Sequence, residues 1–168
     1  MWTFLATDAM GFGGLLIAYG VLRVGAETWP DPRTRLALAP AAAMTFALLA
    51  SSLTMSLATR AATVERRRRW LLATLILGLA FLGGAAFEYL HLLTAASAMG
   101  LTSDLFASTF YVITGFHGLH VLAGVLVTGF MLRTKVGAQA VETAALYWHF
   151  VDAAWMPIFS FLYLWPAR

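Results

Sequence analysis

Long apolar runs broken by short polar stretches divide this chain into five segments, at about residues 2–24, 36–59, 70–94, 105–132 and 140–165. Each reaches the ~20 residues that a helix needs to cross a bilayer. The runs are too long, and alternate too little, for the strands of a lipid-facing barrel. The pattern therefore predicts an all-α fold, a polytopic membrane bundle of five transmembrane helices forming one domain over residues 1–168. The connections are too short to hold a soluble domain. The first run starts at Trp2 with no basic stretch before it and no small-residue cleavage site after it, so it reads as a retained helix.

Punctuation refines the segments. Pro30, Pro32 and Pro40 mark the loop after the first segment and the entry to the second, while Thr102, Ser103 and Asp104 offer N-cap oxygens to the fourth. Pro157 lies inside the fifth, where it removes a backbone bond to the carbonyl of Ala153 and should kink the helix. No strict GxxxG occurs, but glycines at 11, 13, 14, 78, 83, 84, 115, 118 and 124 suit close helix contact. Trp2, Trp29, Trp70, Tyr89, Trp148, Tyr163 and Trp165 sit near segment ends, as an interfacial aromatic belt would. Trp148, Asp152 and Trp155 share a stripe that, with Tyr147 and Phe150, offers a seat for a partner subunit.

Composition agrees with a membrane protein: 61% of residues are hydrophobic, 11% are charged, and the mean hydropathy is +0.78. The absence of cysteine excludes disulfides, thiolate metal sites and cysteine nucleophiles. A pI near 9.7 does not point to nucleic acid, because the basic residues are gathered in loops. Arg60, Arg66, Arg67, Arg68, Arg69, Arg133 and Lys135 fall on one side. Arg23, Arg33, Arg35 and Arg168 fall on the other, diluted by Glu27, Asp31 and Asp104. The positive-inside rule then predicts a cytoplasmic N-terminus and an external C-terminus. The Arg66–Arg69 run reads as an orientation anchor that also meets anionic headgroups.

Ionisable residues inside such spans mark candidate sites. Here they are Asp8, Glu88, His117, His120, His149 and Asp152, with His91 near the outer end of the third segment. A rise of ~1.5 Å per residue sets Asp8 roughly 10 Å from the inner side and Glu88 roughly 27 Å from it, so the two should not meet. An inner-to-middle group (Asp8, His117, His120, His149, Asp152) and an outer group (Glu88, His91, Asp104) are expected. His117 and His120 share a helix face, as do His149 and Asp152, so two facing helices could offer a His3Asp metal set. The competing reading is that each histidine bonds a carboxylate or carbonyl on the next helix and locks the bundle. A bis-histidine haem would find at most one pair, His117 with His149. Asp8 can carry protons, hold a lipid headgroup or brace a neighbouring helix, and Glu88 with His91 can form an outer polar clasp.

The segments WTFLATDAMGFGGLLIAYGVLR, FLGGAAFEYLHLL, STFYVITGFHGLHVLAG and ALYWHFVDAAWMPIFSFLYLW together resemble, in order and spacing, subunit III of haem–copper terminal oxidases in its five-helix form. The resemblance runs through nearly the whole chain. It implies a non-catalytic accessory subunit that supports oxygen reduction coupled to proton pumping by stabilising subunit I and sustaining proton uptake. It further implies subunits I and II as partners, haem and copper held by those partners and none by this chain, bound phospholipid, and a prokaryotic plasma membrane. Asp8 stands where the family usually carries a carbodiimide-reactive glutamate, one methylene longer. His117, His120, His149 and Asp152 match the family's polar packing residues, and Glu88 its outer-side glutamate. The two leading helices of the longer form are missing, so this chain alone cannot form the V-shaped lipid cleft. Pro157 also departs from the family's usual segment. GFHGLH leans towards cytochrome c rather than quinol oxidases. A subunit III-like protein of a quinol oxidase or nitric oxide reductase system remains an alternative, as does an independent proton-coupled transporter.

Overall fold

The computed structural model describes residues 1–94, 99–100, 103–134 and 136–165; Thr102, Lys135 and Arg168 lie outside them. The regular elements among these residues are all helical: α1 (Trp2–Gly25), α2 (Pro32–Arg35), α3 (Leu38–Thr59), α4 (Val64–Thr94), α5 (Leu105–Arg133) and α6 (Ala138–Phe159), the last running into a π-helical turn at Ser160–Leu164. Four of these, α1, α3, α4 and α5, are long and apolar enough to cross a membrane. The fifth long helix, α6, is 22 residues and carries Glu142, His149 and Asp152.

Two features differ from the expectation, each for a local reason. α4 starts at Val64, so the Arg66–Arg69 run is helical instead of looped. Arginine is a good helix former, and the hydroxyl of Thr63 accepts from the backbone N–H of Arg66 at 3.3 Å. At 31 residues, α4 is ~46 Å long, well beyond the ~30 Å of a hydrocarbon core, which leaves room for its basic first turns outside. The loop after α1 contains the short α2, with Pro32 at its first position and the Asp31 carboxylate accepting from Arg33 N–H at 3.0 Å. α6 continues through Pro157, and the winding widens to π three residues later.

α3, α4, α5 and α6 form a closed four-helix bundle in which each helix packs on the next and α6 returns to α3. α1 lies outside it against α5 and α6. It is attached along one narrow seam, Leu5, Phe12 and Tyr19, seven residues apart, while Met10, Ile17 and Val21 point away from the bundle. Asp104 caps α5, accepting from Ala107 N–H at 2.7 Å, and its other oxygen pairs with Arg35. Tyr19, Trp29 and Phe106 follow one another edge to face at 5.5 and 6.0 Å, fixing the connecting loop over the same end.

The centre of the bundle is Trp148. Its ring fills the space left by two glycines: a Cβ built on Gly78 of α4 would lie 2.8 Å from it, and one on Gly124 of α5 would lie 2.7 Å from it. The indole N–H donates to Ser51 of α3 at 2.9 Å. Two turns along α6, the Trp155 N–H donates to Thr45 of α3 at 2.9 Å. Trp148, Trp155 and Asp152 are therefore buried inside the bundle and are not a seat for a partner; nor does Trp148 belong to an interfacial belt. The stripe faces inward because α3 supplies hydroxyls at matching heights.

Replacing Gly124 by alanine should lower the thermal midpoint of the folded chain in detergent by the equivalent of about 1–3 kcal/mol, since the new methyl meets a rigid ring. Gly118→Ala, where nothing lies within 4 Å, should leave the midpoint unchanged or slightly raised.

Candidate functional site

α5 presents its two histidines to different neighbours. His120 turns towards α1, and His117 turns into the bundle. The Nδ1 of His120 lies 2.8 Å from the carbonyl of Phe116, one helical turn back. A carbonyl can only accept, so this nitrogen carries a proton. The other ring nitrogen, Nε2, lies 3.3 Å from Oδ2 of Asp8 on α1. Both side chains are largely buried there, at 14% and 16% exposure. The contact is at ion-pair distance but lacks hydrogen-bond alignment. One further proton between carboxyl and imidazole would make it attractive in either form. Beneath it, Tyr147 of α6 donates to the carbonyl of His120 at 2.9 Å, and Phe12 and Phe116 lie 5.2 and 4.6 Å from the imidazole. Asp8, His120 and Tyr147 thus join α1, α5 and α6 in one polar contact with apolar walls.

His117 is fully buried in an aromatic box, with Trp155 at 4.9 Å, Phe81 at 5.6 Å and Phe12 at 6.1 Å. Neither of its nitrogens is hydrogen-bonded to a described residue. His149 makes a clasp with α3: Nδ1 is 2.6 Å from the Ser52 hydroxyl and Nε2 3.2 Å from that of Ser56. A neutral imidazole has one donor and one acceptor, and two hydroxyls one turn apart satisfy both. Asp152, one turn further along α6, is buried beside Ser52. The histidines thus face separate partners, and among the described residues no three His, Asp or Glu side chains form a group able to hold a metal ion.

At the other end, Glu88 of α4 is buried and accepts from the Tyr163 hydroxyl at 2.7 Å, which ties α4 to the π-helical turn. Next to it Tyr89 bonds Thr114 of α5 at 2.6 Å. His91 is exposed, and its ring lies over Phe87 at 6.4 Å. The carboxylate of Glu88 is therefore bonded to Tyr163, which the apolar pattern gave no reason to single out. Arg23 was also missed. Counted as a loop charge, it is buried at the last turn of α1, donates to Tyr19 at 3.1 Å and to the Trp165 carbonyl at 3.2 Å, and lies 4.6 Å over the Trp165 ring. An arginine four residues after a tyrosine is the only sequence signal of that anchor.

Comparison with known proteins gives this arrangement a context. The sequence family described as cytochrome c oxidase subunit III matches residues 26–167. A cytochrome c oxidase subunit 3 from Thermostichus vulcanus is 38% identical over 172 residues, covering 96% of this chain and 83% of the relative. A probable cytochrome c oxidase subunit 3 from Nocardia farcinica is 40% identical over 170 residues, covering 95% and 83%. A cytochrome c oxidase subunit 3 from Synechocystis is 38% identical over 173 residues, covering 96% and 72%.

If Asp8 and His120 hold α1 to the bundle as a pair, Asp8→Asn and His120→Gln should each destabilise the folded chain. The double variant should lose less than their sum, by about 1 kcal/mol in a denaturant-based double-mutant cycle. Strict additivity would mean that the two side chains act independently.

Proposed function

Because this chain belongs to the cytochrome c oxidase subunit III family, we propose that its part in the complex is mechanical and proton-linked rather than catalytic. It is an accessory subunit III of a bacterial haem–copper oxidase, a multi-pass membrane protein that associates with other oxidase subunits. The observation that carries this reading is the family match over residues 26–167 together with relatives aligned over nearly the whole chain. Haem and copper belong to subunits I and II, and this chain braces subunit I. The relatives named above are cytochrome c oxidase subunits, which supports cytochrome c over quinol as the electron donor of the complex. The independent transporter loses its ground, since the family accounts for the polar residues without a translocation path.

Five helices cross the plasma membrane in this reading, α6 being the fifth. Its polar side chains favour that placement: His149 is bonded to serines, Asp152 is enclosed, and both tryptophans donate inward. The large apolar side chains that the helix shows to lipid are then Leu146 and Met156, with Glu142 and Thr143 exposed nearer its start. The basic start of α4 and the end of α5 lie on the cytoplasmic side, with the N-terminus on the same side and the C-terminus outside. Bound phospholipid fills part of the apolar outer surface of α1, α3, α4 and α5.

Asp8 supports proton uptake through its contact with His120. The pair can hold a proton on either group, and it sits one helical turn or so inside the end of α1, with Tyr147 fixing the His120 backbone. The remaining polar residues, Glu88, His91, His117, His149 and Asp152, serve packing.

Two measurements test this. Asp8→Asn in the assembled oxidase should leave the initial rate of oxygen reduction nearly intact and shorten activity over many turnovers; an unchanged lifetime would make Asp8 a packing residue. Because the chain has no cysteine of its own, single cysteines report orientation cleanly. Glu27→Cys should react with a membrane-impermeant maleimide in intact cells, and Arg66→Cys only after permeabilisation. The reverse pattern would invert the topology.

A further inference from the structure

Where α4 begins and α5 ends, the two helices flank a partly open cavity of about 550 Å³. Among the described residues its polar side is made by Arg67, Arg68, Arg133 and Thr134, with Glu65 as the single carboxylate. Its apolar side includes Leu71, Met131 and Val136. None of the three arginines forms an ion pair with a described residue, and the Nε of Arg67 is closed off from solvent without a hydrogen-bond partner. Three guanidinium groups against one carboxylate leave the lining cationic. The cavity lies at the joint end of two apolar spans, the level at which lipid headgroups meet protein.

We propose that this cavity binds the phosphodiester of an anionic phospholipid, the three arginines holding the headgroup while the Leu71 side receives the first carbons of an acyl chain. Planar guanidinium forks match phosphate oxygens and hold them with charge-assisted bonds. A free phosphate ion would use the arginines but gain nothing from an apolar wall. A zwitterionic lipid would bring an ammonium group into a cationic lining. Among the described residues its lining comes from α4, α5 and the residues that follow α5. This inference rests on the membrane reading given above, and it adds a lipid-selective site at one end of the bundle.

The test uses the intact oxidase complex, equilibrated in micelles containing dioleoylphosphatidylglycerol or dioleoylphosphatidylcholine, with retained lipid counted by native mass spectrometry. The native complex should keep phosphatidylglycerol in preference to phosphatidylcholine. Arg67→Gln with Arg133→Gln should reduce the retained phosphatidylglycerol attributable to this site by about tenfold or more. Arg66→Gln with Arg69→Gln removes the same charge from residues that do not line the cavity, and should leave retention near the native level. Equal losses in the two double variants would overturn the site in favour of diffuse surface charge. Displacement of the lipid by millimolar inorganic phosphate would overturn it in favour of a free-anion site. Should the first double variant not assemble, Arg133→Gln alone, read in the same way, should lose several-fold. Haem content of every preparation reports assembly separately, so a lost lipid preference is distinguishable from a lost oxidase partner.

Discussion

The seating of Trp148 is the contact on which the rest of the bundle depends. One indole ring from α6 occupies the hollows at Gly78 of α4 and Gly124 of α5 and donates its N–H to Ser51 of α3. All four helices of the bundle therefore meet at one side chain. In lipid, helices gain little from hydrophobic association, because the tails are as apolar as the side chains; close packing and interhelical hydrogen bonds must hold them instead. Trp148 supplies both. Trp155 repeats the device nearer the other end, with Thr45 as its acceptor and His117 against its ring.

From that centre the polar residues sort themselves by neighbour. His149 is clasped by two serines of α3, Glu88 by Tyr163, Tyr89 by Thr114, and Asp8 by His120. Each contact joins two different helical elements. The bundle is thus pinned at several heights while α1 is left with a single seam and one partly buried charge pair. That asymmetry sets Asp8 apart: its contact with His120 is a polar element in the attachment of the least embedded long helix. The same helix is held at its far end by Arg23, which bonds Tyr19 and Trp165 and so ties α1 to the end of the chain.

Much of the fold was legible from the apolar runs, since a span of ~20 apolar residues has few alternatives to a helix. Which face of each helix turns inward was not. Helices that are apolar all round carry no amphipathic stripe to read, and so Trp148 looked like an interfacial aromatic and Gly118 like a packing glycine, whereas Gly118 has open space beside it and Gly124 holds the ring. The arginine run was visible as charge but not as helix, because reading it as an orientation anchor masked its good helix propensity. For the candidate site, the grouping by depth placed Asp8 with His120 and apart from Glu88, but depth alone could not pair Glu88 with Tyr163 or His149 with Ser52 and Ser56. Those partners are tyrosine and serine, residues too common in such spans to be marked as ligands by the sequence. Family resemblance spoke to what local chemistry left open, by raising the expectation that the redox centres belong to neighbours.

The central claim is that this chain organises an oxidase without holding its redox centres. Visible absorption of the tagged full-length chain, purified from its own membrane with its partners and then separated from them while still helical, tests it most directly. The account predicts a Soret band in the complex that leaves entirely with the partner subunits. A stoichiometric Soret band that stays with the isolated, folded chain would contradict it.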